Sequence, residues 1–253
     1  MSATPPVRAS DRLIAVVESF LQAPTQTLSE VSAACGIDPS TATRYLRQLV
    51  KHGWLERDEN TRAYTLGLRL VAIGHAAREA RPLRGRVLPY MRELLEQFDE
   101  TVNLAVHQGG EVVVIEALES GRSFRRGASI GDRDDWFVSS LGKAILAHLP
   151  DSQVRDLLRR HPPVHRTEHT RMNAEEILAD LAAVRRQGYA LDDEESEVGL
   201  KCVGVALCDE HGRYSHALSV SGPTGRIDKR LDELTAALTR VARRIGAETG
   251  GMR

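Results

Sequence analysis

Between Pro39 and His52 the chain carries Ser40, Thr41, Thr43, Arg44, Arg47 and Lys51, with no acidic residue among them. Each of these side chains donates hydrogen bonds, which phosphate oxygens and the acceptor-bearing edges of base pairs take up. Helical spacing sorts them from their neighbours. Ala42, Leu46, Leu49 and Val50 recur at the period that buries one face, leaving the donors on the other. Asp38-Pro39 supplies an N-cap and a proline at the first helical position. The chemistry implied is docking of one helix against duplex DNA.

A second group of candidates lies on predicted strands. Val203 to Cys208 and Tyr214 to Ser221 read as a hairpin closed through residues 209–213. Side chains two apart on a strand share a face, so Ser219 and Ser221 point together, away from Leu218 and Val220. On the partner strand Cys202, Gly204 and Ala206 share one face, and Val203, Val205 and Leu207 the other. A face of Ser, Cys, Gly and Ala leaves room for a ligand and supplies hydroxyl donors. Nearby in this reading, Ser140-Leu141-Gly142 opens a helix whose free N–H groups favour an anionic group.

The elements that position these residues follow from periodicity. Leu28 to Cys35 is a short helix with Leu28, Val31 and Ala34 on one side, broken by Gly36. Gly53-Trp54-Leu55 turns the chain out of the basic helix. Trp54 to Arg57, a polar turn over residues 58–62, and Ala63 to Leu66 then form a wing, with Arg57 and Arg62 along it. Together these predict a winged helix-turn-helix; the bland alternative is a small helical bundle with a solvated basic face. Asp11 to Phe20 gives a first helix with Leu13, Val16, Val17 and Phe20 as its stripe. Residues 1–9, with Pro5-Pro6, form a flexible tail, residues 10–67 the DNA-binding domain, and residues 68–81 a helix after the wing. From residue 82 to 250, helical stripes alternate with hairpins. The pattern includes a helix from Leu83 to Phe98, a hairpin of Val102 to Gln108 with Glu111 to Ala117, and helices at Ser140 to His148, Asp151 to Arg160 and Asn173 to Gln187. A C-terminal helix carries Leu231, Leu234, Leu238, Val241 and Ile245. Hairpins covered by helices imply an antiparallel α+β domain.

Composition agrees with that division. The 253 residues suit two modest domains. No run of eighteen apolar residues and no charged-then-apolar leader is present, so the expected location is the cytoplasm, without a membrane partner. Three irregularly spaced cysteines, Cys35, Cys202 and Cys208, suggest reduced thiols. The net charge of -1 divides into +1 for residues 1–80 and -2 for the rest. The donor helix alone carries three basic residues, and local field governs groove binding. With so few cations per chain, two or more copies are expected to act together.

Residues 10–70 resemble the N-terminal domain of IclR-type bacterial transcription regulators. The resemblance continues through Ser140-Leu141-Gly142-Lys143-Ala144, through Gly188-Tyr189-Ala190-Leu191-Asp192-Asp193-Glu194-Glu195 with Gly199 and Cys202, and through Leu218-Ser219-Val220-Ser221-Gly222-Pro223. It implies a GAF/profilin-like C-terminal domain that holds a small effector, and a linker helix that pairs between subunits. It also implies effector contacts at Ser140, Leu141, Asp192, Cys202, Ser219 and Ser221, with a small carboxylate as ligand. Taken singly, Asp192 has the alternative of capping a turn, Cys202 of being a small core residue, and the serines of satisfying backbone. A carboxylate beside a carboxylate ligand repels it unless a proton or hydrogen bond intervenes.

The chain departs from that family's pattern before the Gly-Lys pair. Asp135-Trp136-Phe137-Val138-Ser139-Ser140 replaces a His-containing stretch, which loses a polar handle and adds aromatic surface. Packing of the pocket lid explains it plainly; the sharper expectation is an effector with an aromatic or apolar body. Arg125 and Arg126 are candidates for drawing an acidic effector. Two other function classes are open to this sequence. A thiol hydrolase needs a base beside Cys202, for which His107, His148 and His216 are available. A zinc-dependent regulator draws on His161, His165 and His169, although Pro162-Pro163 forbids a continuous helix there. The sequence reading is a ligand-responsive DNA-binding regulator, a homodimer or dimer of dimers, without catalysis, metal or cofactor.

Overall fold

The computed structural model describes residues 8–108, 110–123, 125, 127 and 129–250. The first seven residues of the expected tail, together with Gly109 and Arg126, lie outside the described residues. The chain divides into two compact units, Met1–Ala80 and Arg81–Arg253.

In the first unit, α1 (Ala9–Ser19) begins two residues earlier than periodicity predicts. The reason is Asp11, whose carboxylate accepts the Arg8 N–H at 3.1 Å and so caps the first turn. Next come β1 (Thr25–Gln26), α2 (Leu28–Cys35), α3 (Pro39–Lys51), β2 (Leu55–Arg57), β3 (Tyr64–Leu66) and α4 (Arg69–Glu79). Thr27 and Glu30 form a reciprocal capping box on α2. Gly36 ends it at φ 59°, a left-handed conformation that a side chain resists. Val16, Phe20, Val31, Ala42, Leu46, Leu49 and Leu55 form the core. Ala34 is exposed, and the neighbouring Cys35 packs inward in its place. The wing is three-stranded, order β1-β3-β2, because Thr25 and Gln26 pair with Thr65 and Tyr64. Along α4, Val71 and Ile73 are exposed and no residue is buried within the chain.

The second unit is built on one antiparallel sheet. Its chain order is α5 (Pro82–Phe98), β4 (Thr101–Gln108), β5 (Glu111–Leu118), β6 (Arg133–Asp134), α6 (Ser140–Leu146), α7 (Asp151–Arg160) and α8 (Ala174–Gln187). There follow β7 (Ala190–Asp193), β8 (Leu200–Leu207), β9 (His216–Pro223), α9 (Thr224–Asp228) and α10 (Leu231–Thr249). The sheet order is β6-β5-β4-β9-β8-β7. Strand alternation divides the core in two. Val102, Leu104, Val106, Val203, Val205, Leu207, Leu218 and Val220 meet α5 and α10 on one face. Ala105, Ala190 and Ala217 meet α6, α7 and α8 on the other. Small residues on that second face admit α6 close to the sheet. A Cβ on Gly204 would stand 2.6 Å from the Ser140 carbonyl oxygen.

Candidate nucleic-acid interface and effector cavity

The two ends of α3 fix its donor face. Asp38 caps it by accepting the Thr41 N–H at 2.9 Å, and Pro39 occupies the first turn. Ala42, Tyr45, Leu46 and Leu49 are buried, which leaves Ser40, Arg44, Arg47 and Lys51 exposed and Thr41 and Thr43 half-buried. The hydroxyls are less free than their types suggest. Ser40 donates to Asp38 Oδ1 at 2.5 Å, and Thr43 donates to the Pro39 carbonyl at 2.7 Å. Both still present lone pairs outward, so they are acceptors toward a partner while the cations carry the donor role. Hydrogen bonding to Ser40 and Thr41 holds the Asp38 carboxyl far below its ordinary range, keeping the cap charged.

An open groove of about 770 Å³ runs between α2, α3 and the wing. Arg47, Lys51, Arg57 and Arg62 line it, with Thr43 and Thr61. The wing tip is an Asp-centred turn in which Asn60 and Thr61 N–H groups donate to Asp58 at 2.7 and 2.9 Å. Arg62 takes φ 58° there, and the Arg57 guanidinium lies 5.7 Å from the Tyr64 ring centroid. Four cations on two rigid elements thus face one channel, the arrangement that tracks a phosphate backbone.

The second site is a cavity of about 190 Å³ within the sheet unit. Ser140, Leu141, Asp192, Cys202, Ser219 and Ser221 all line it, joined by Asn103, Val114, Asp132, Arg133, Asp134 and Ser139. Strand register explains the convergence. Cys202 pairs with Ser221 and Asp192 with Cys202, while Gly204 pairs with Ser219 and Ser219 with Asn103. Two adjacent cross-strand rows therefore form a small, polar floor beneath α6. Ser139 caps α6 by accepting the Gly142 N–H at 2.9 Å, which leaves the first turn's other N–H groups at the cavity edge. Among the described residues, the Ser140, Ser219 and Ser221 hydroxyls have no hydrogen-bond partner in the protein.

Asp192 is engaged in holding the chain. Its Oδ1 accepts from the Glu195 and Ser196 N–H groups at 3.0 and 3.1 Å, and its Oδ2 accepts from the Ser196 hydroxyl. Burial raises its carboxyl pKa against those hydrogen bonds and the Lys143 charge. Lys143 is only 1 % exposed and meets Glu195 at 2.5 Å and Asp180 at 3.3 Å. Arg171 reaches the same Glu195 at 2.5 Å. Sequence reasoning used Lys143 only as part of a motif; its role is to fasten the turn after Asp192 to α6.

The comparisons with known proteins cover both units. The profile described as "IclR helix-turn-helix domain" matches residues 9–59, and "Bacterial transcriptional regulator IclR C-terminal" matches residues 75–247. The chain belongs to the IclR family of bacterial transcriptional regulators. It is 33% identical over 229 residues to the transcriptional repressor IclR of Escherichia coli (strain K12), a match covering 89% of this chain and 84% of that one. An IclR-type regulator of Alicyclobacillus acidocaldarius shares the fold at TM-score 0.85 and 23% identity, covering 96% and 98% of the two chains. An IclR homologue of Microbacterium hydrocarbonoxydans, solved in complex with 4-hydroxybenzoate, aligns at TM-score 0.77 and 25% identity over 94% and 100% of the chains. Like its family, the chain is a ligand-responsive, DNA-binding transcriptional regulator with an N-terminal helix-turn-helix and a C-terminal effector domain.

Several expectations within this IclR-family chain are corrected by the geometry. Trp136 and Phe137 do not line the effector cavity. Both are buried in the core under α6 and α8; the Trp136 Nε1–H donates to the Gly110 carbonyl at 3.0 Å and its ring meets His107 edge-on. Their aromatic surface is packing, so it is no argument for an aromatic ligand. Arg125 is tied to Glu119 at 2.9 Å on the surface. Neither His107, His148 nor His216 lines the cavity with Cys202. His148 stacks on Tyr214, and His216 pairs with Leu207, five positions along the β9 ladder from Ser221. His161 ends α7, and among the described residues no cluster of three metal-ligating side chains forms. Asn103 was missed, although the alternation of Val102, Leu104 and Val106 with Asn103, Ala105 and His107 places it on the small, polar face.

Proposed function

We propose that this regulator places α3 of two subunits in successive major grooves of an operator, with each wing on the adjacent backbone. Arg44 and Arg47 contact bases and phosphates, aided by Ser40, Thr41 and Thr43; Lys51, Arg57 and Arg62 contact phosphates. The exposed apolar stripe of α4, at Val71 and Ile73, supports pairing between copies through the linker helix. A dimer or dimer of dimers supplies the cations that one chain lacks. The protein works in the cytoplasm by binding, without catalysis, a reading supported by relatives that are regulators.

The effector is a small organic acid seated in the sheet cavity. The observation that carries this is the set of unpaired hydroxyls of Ser140, Ser219 and Ser221 around about 190 Å³ of enclosed space. That space holds roughly six waters, so the ligand is small. Leu141 and Val114 give it an apolar wall. The relative that holds 4-hydroxybenzoate supports an acid with an aromatic body as one occupant. Occupancy couples to DNA affinity by favouring one arrangement of the DNA-binding units.

The test uses the full chain and a duplex selected from a random-sequence pool. A panel of small acids, including 4-hydroxybenzoate, is scored by melting temperature and by anisotropy of the labelled duplex. At least one acid should raise the melting temperature by mass action, change operator affinity and be recovered unchanged. A panel that binds without altering DNA affinity, or a ligand that is consumed, contradicts the proposal.

A further inference from the structure

Asn103 sits at the centre of the cavity floor, on β4, opposite Ser219 on one side and Ala117 on the other. Its side chain is 4 % exposed, and its Oδ1 is buried with no hydrogen-bond partner. A buried amide left unpaired costs free energy that a well-placed partner recovers. The amide lines the cavity, and either of its ends can be turned toward a ligand seated there, which then supplies that partner.

We infer that Asn103 selects effectors bearing a hydroxyl group in addition to the carboxylate. This rests on the effector reading above and specifies the chemistry of the same cavity. The carboxylate is best placed at the Ser140, Ser219 and Ser221 hydroxyls, which donate to an acceptor-only group. The remaining wall opposes a second anion. Asp132 and Asp134 line it against a single cation, Arg133, which is itself paired with Glu111 at 2.9 Å. The rest of the ligand must therefore present a donor. An amide offers one acceptor and two N–H donors, and a hydroxyl answers both, whichever way the amide is turned. A second carboxylate would satisfy the N–H side and leave the carbonyl unpaired. An apolar end would satisfy neither.

The experiment compares two variants of nearly equal shape on the full chain, Asn103→Thr and Asn103→Val. They differ by a hydroxyl in place of a methyl and both suit a strand. Calorimetry measures affinity for matched acids that differ by one hydroxyl: glycolate against acetate, lactate against propionate, 4-hydroxybenzoate against benzoate. DNA affinity without any acid reports that the fold is intact. For at least one pair, the unaltered protein should favour the hydroxy acid by about tenfold. Asn103→Thr should keep part of that preference, and Asn103→Val should reduce it to twofold or less, chiefly by weakening the hydroxy acid. A wild-type preference that survives in Asn103→Val overturns the inference. So does an equal loss for both members of a pair, which marks a structural residue, or the absence of any hydroxyl preference in the unaltered protein. Failure of every acid to bind is a different result: it removes the effector assignment of the cavity itself, and this inference with it.

Discussion

Replacing Lys143 by Met tests how the cavity wall is held. The Lys143 side chain is 1 % exposed and that of Glu195 2 %, so both charges are removed from water. Met fills the space of the lysine stem, which keeps the cavity contribution small. What remains is Glu195 and Asp180, each with one partner lost. Removing one member of a buried pair costs about 3–5 kcal/mol. Arg171, at 2.5 Å from the Glu195 carboxylate, offsets part of that, so the expected loss is about 2–3 kcal/mol. For a unit of this size that lowers the melting temperature by roughly 4–12 °C. Trp54→Phe leaves Trp136 as the only tryptophan, so its fluorescence follows the second unit alone. Urea melts of Lys143→Met, Glu195→Gln and the double variant give the coupling between them. The double variant should recover stability relative to the sum of the single changes, because the buried Glu195 charge is no longer left short of a cation. A loss below about 1 kcal/mol for Lys143→Met, or strict additivity, refutes the reasoning.

Two further outcomes follow from the second unit. Ser219→Ala with Ser221→Ala should blunt the response of DNA affinity to the effector while leaving DNA binding without effector intact; equal loss of both, measured by anisotropy, makes the serines part of the fold. Burial, reinforced by the Arg81 charge, pushes the His216 imidazole down to about 4 from an ordinary 6.5. The folded state therefore resists a proton that the unfolded chain accepts, so stability is complete above pH 6.5 and falls as pH drops toward 4. The loss is on the order of 3 kcal/mol, and His216→Asn should flatten that part of the stability-against-pH curve, read by urea melts at stepped pH.

Much of this arrangement is legible in the chain because local signals and tertiary packing agree. Asp38-Pro39 and the spacing of Ala42, Leu46 and Leu49 define α3 without any contact from elsewhere. The period-two pattern of β8 and β9 separates Val203, Val205, Leu218 and Val220 from Cys202, Gly204, Ser219 and Ser221, and the structure keeps that separation. What escapes is what depends on partners distant in sequence. The two-residue strands β1 and β6 exist only through pairing with β3 and β5. Trp136 and Phe137 read as aromatic surface for an effector because they stand just before Ser139 and Ser140, which line the cavity; the turn before α6 directs them into the core. The hydroxyls of Ser40 and Thr43 look free by type, yet each finds an acceptor within four residues. Lys143 looks like a surface cation until β7 and the turn beyond it bring Glu195 against it.

The reading as a regulator depends on the exposed side of α3 meeting duplex DNA. Arg44 is exposed there, its guanidinium 5.4 Å from the Tyr45 ring and outside any ion pair among the described residues. The direct measurement is the affinity of full-length Arg44→Ala for the selected duplex, by anisotropy at fixed salt beside the unaltered protein. A weakening by about 1–3 kcal/mol is expected, with melting temperature little changed because the side chain is exposed. Undiminished affinity in the variant would contradict the placement of this helix on DNA.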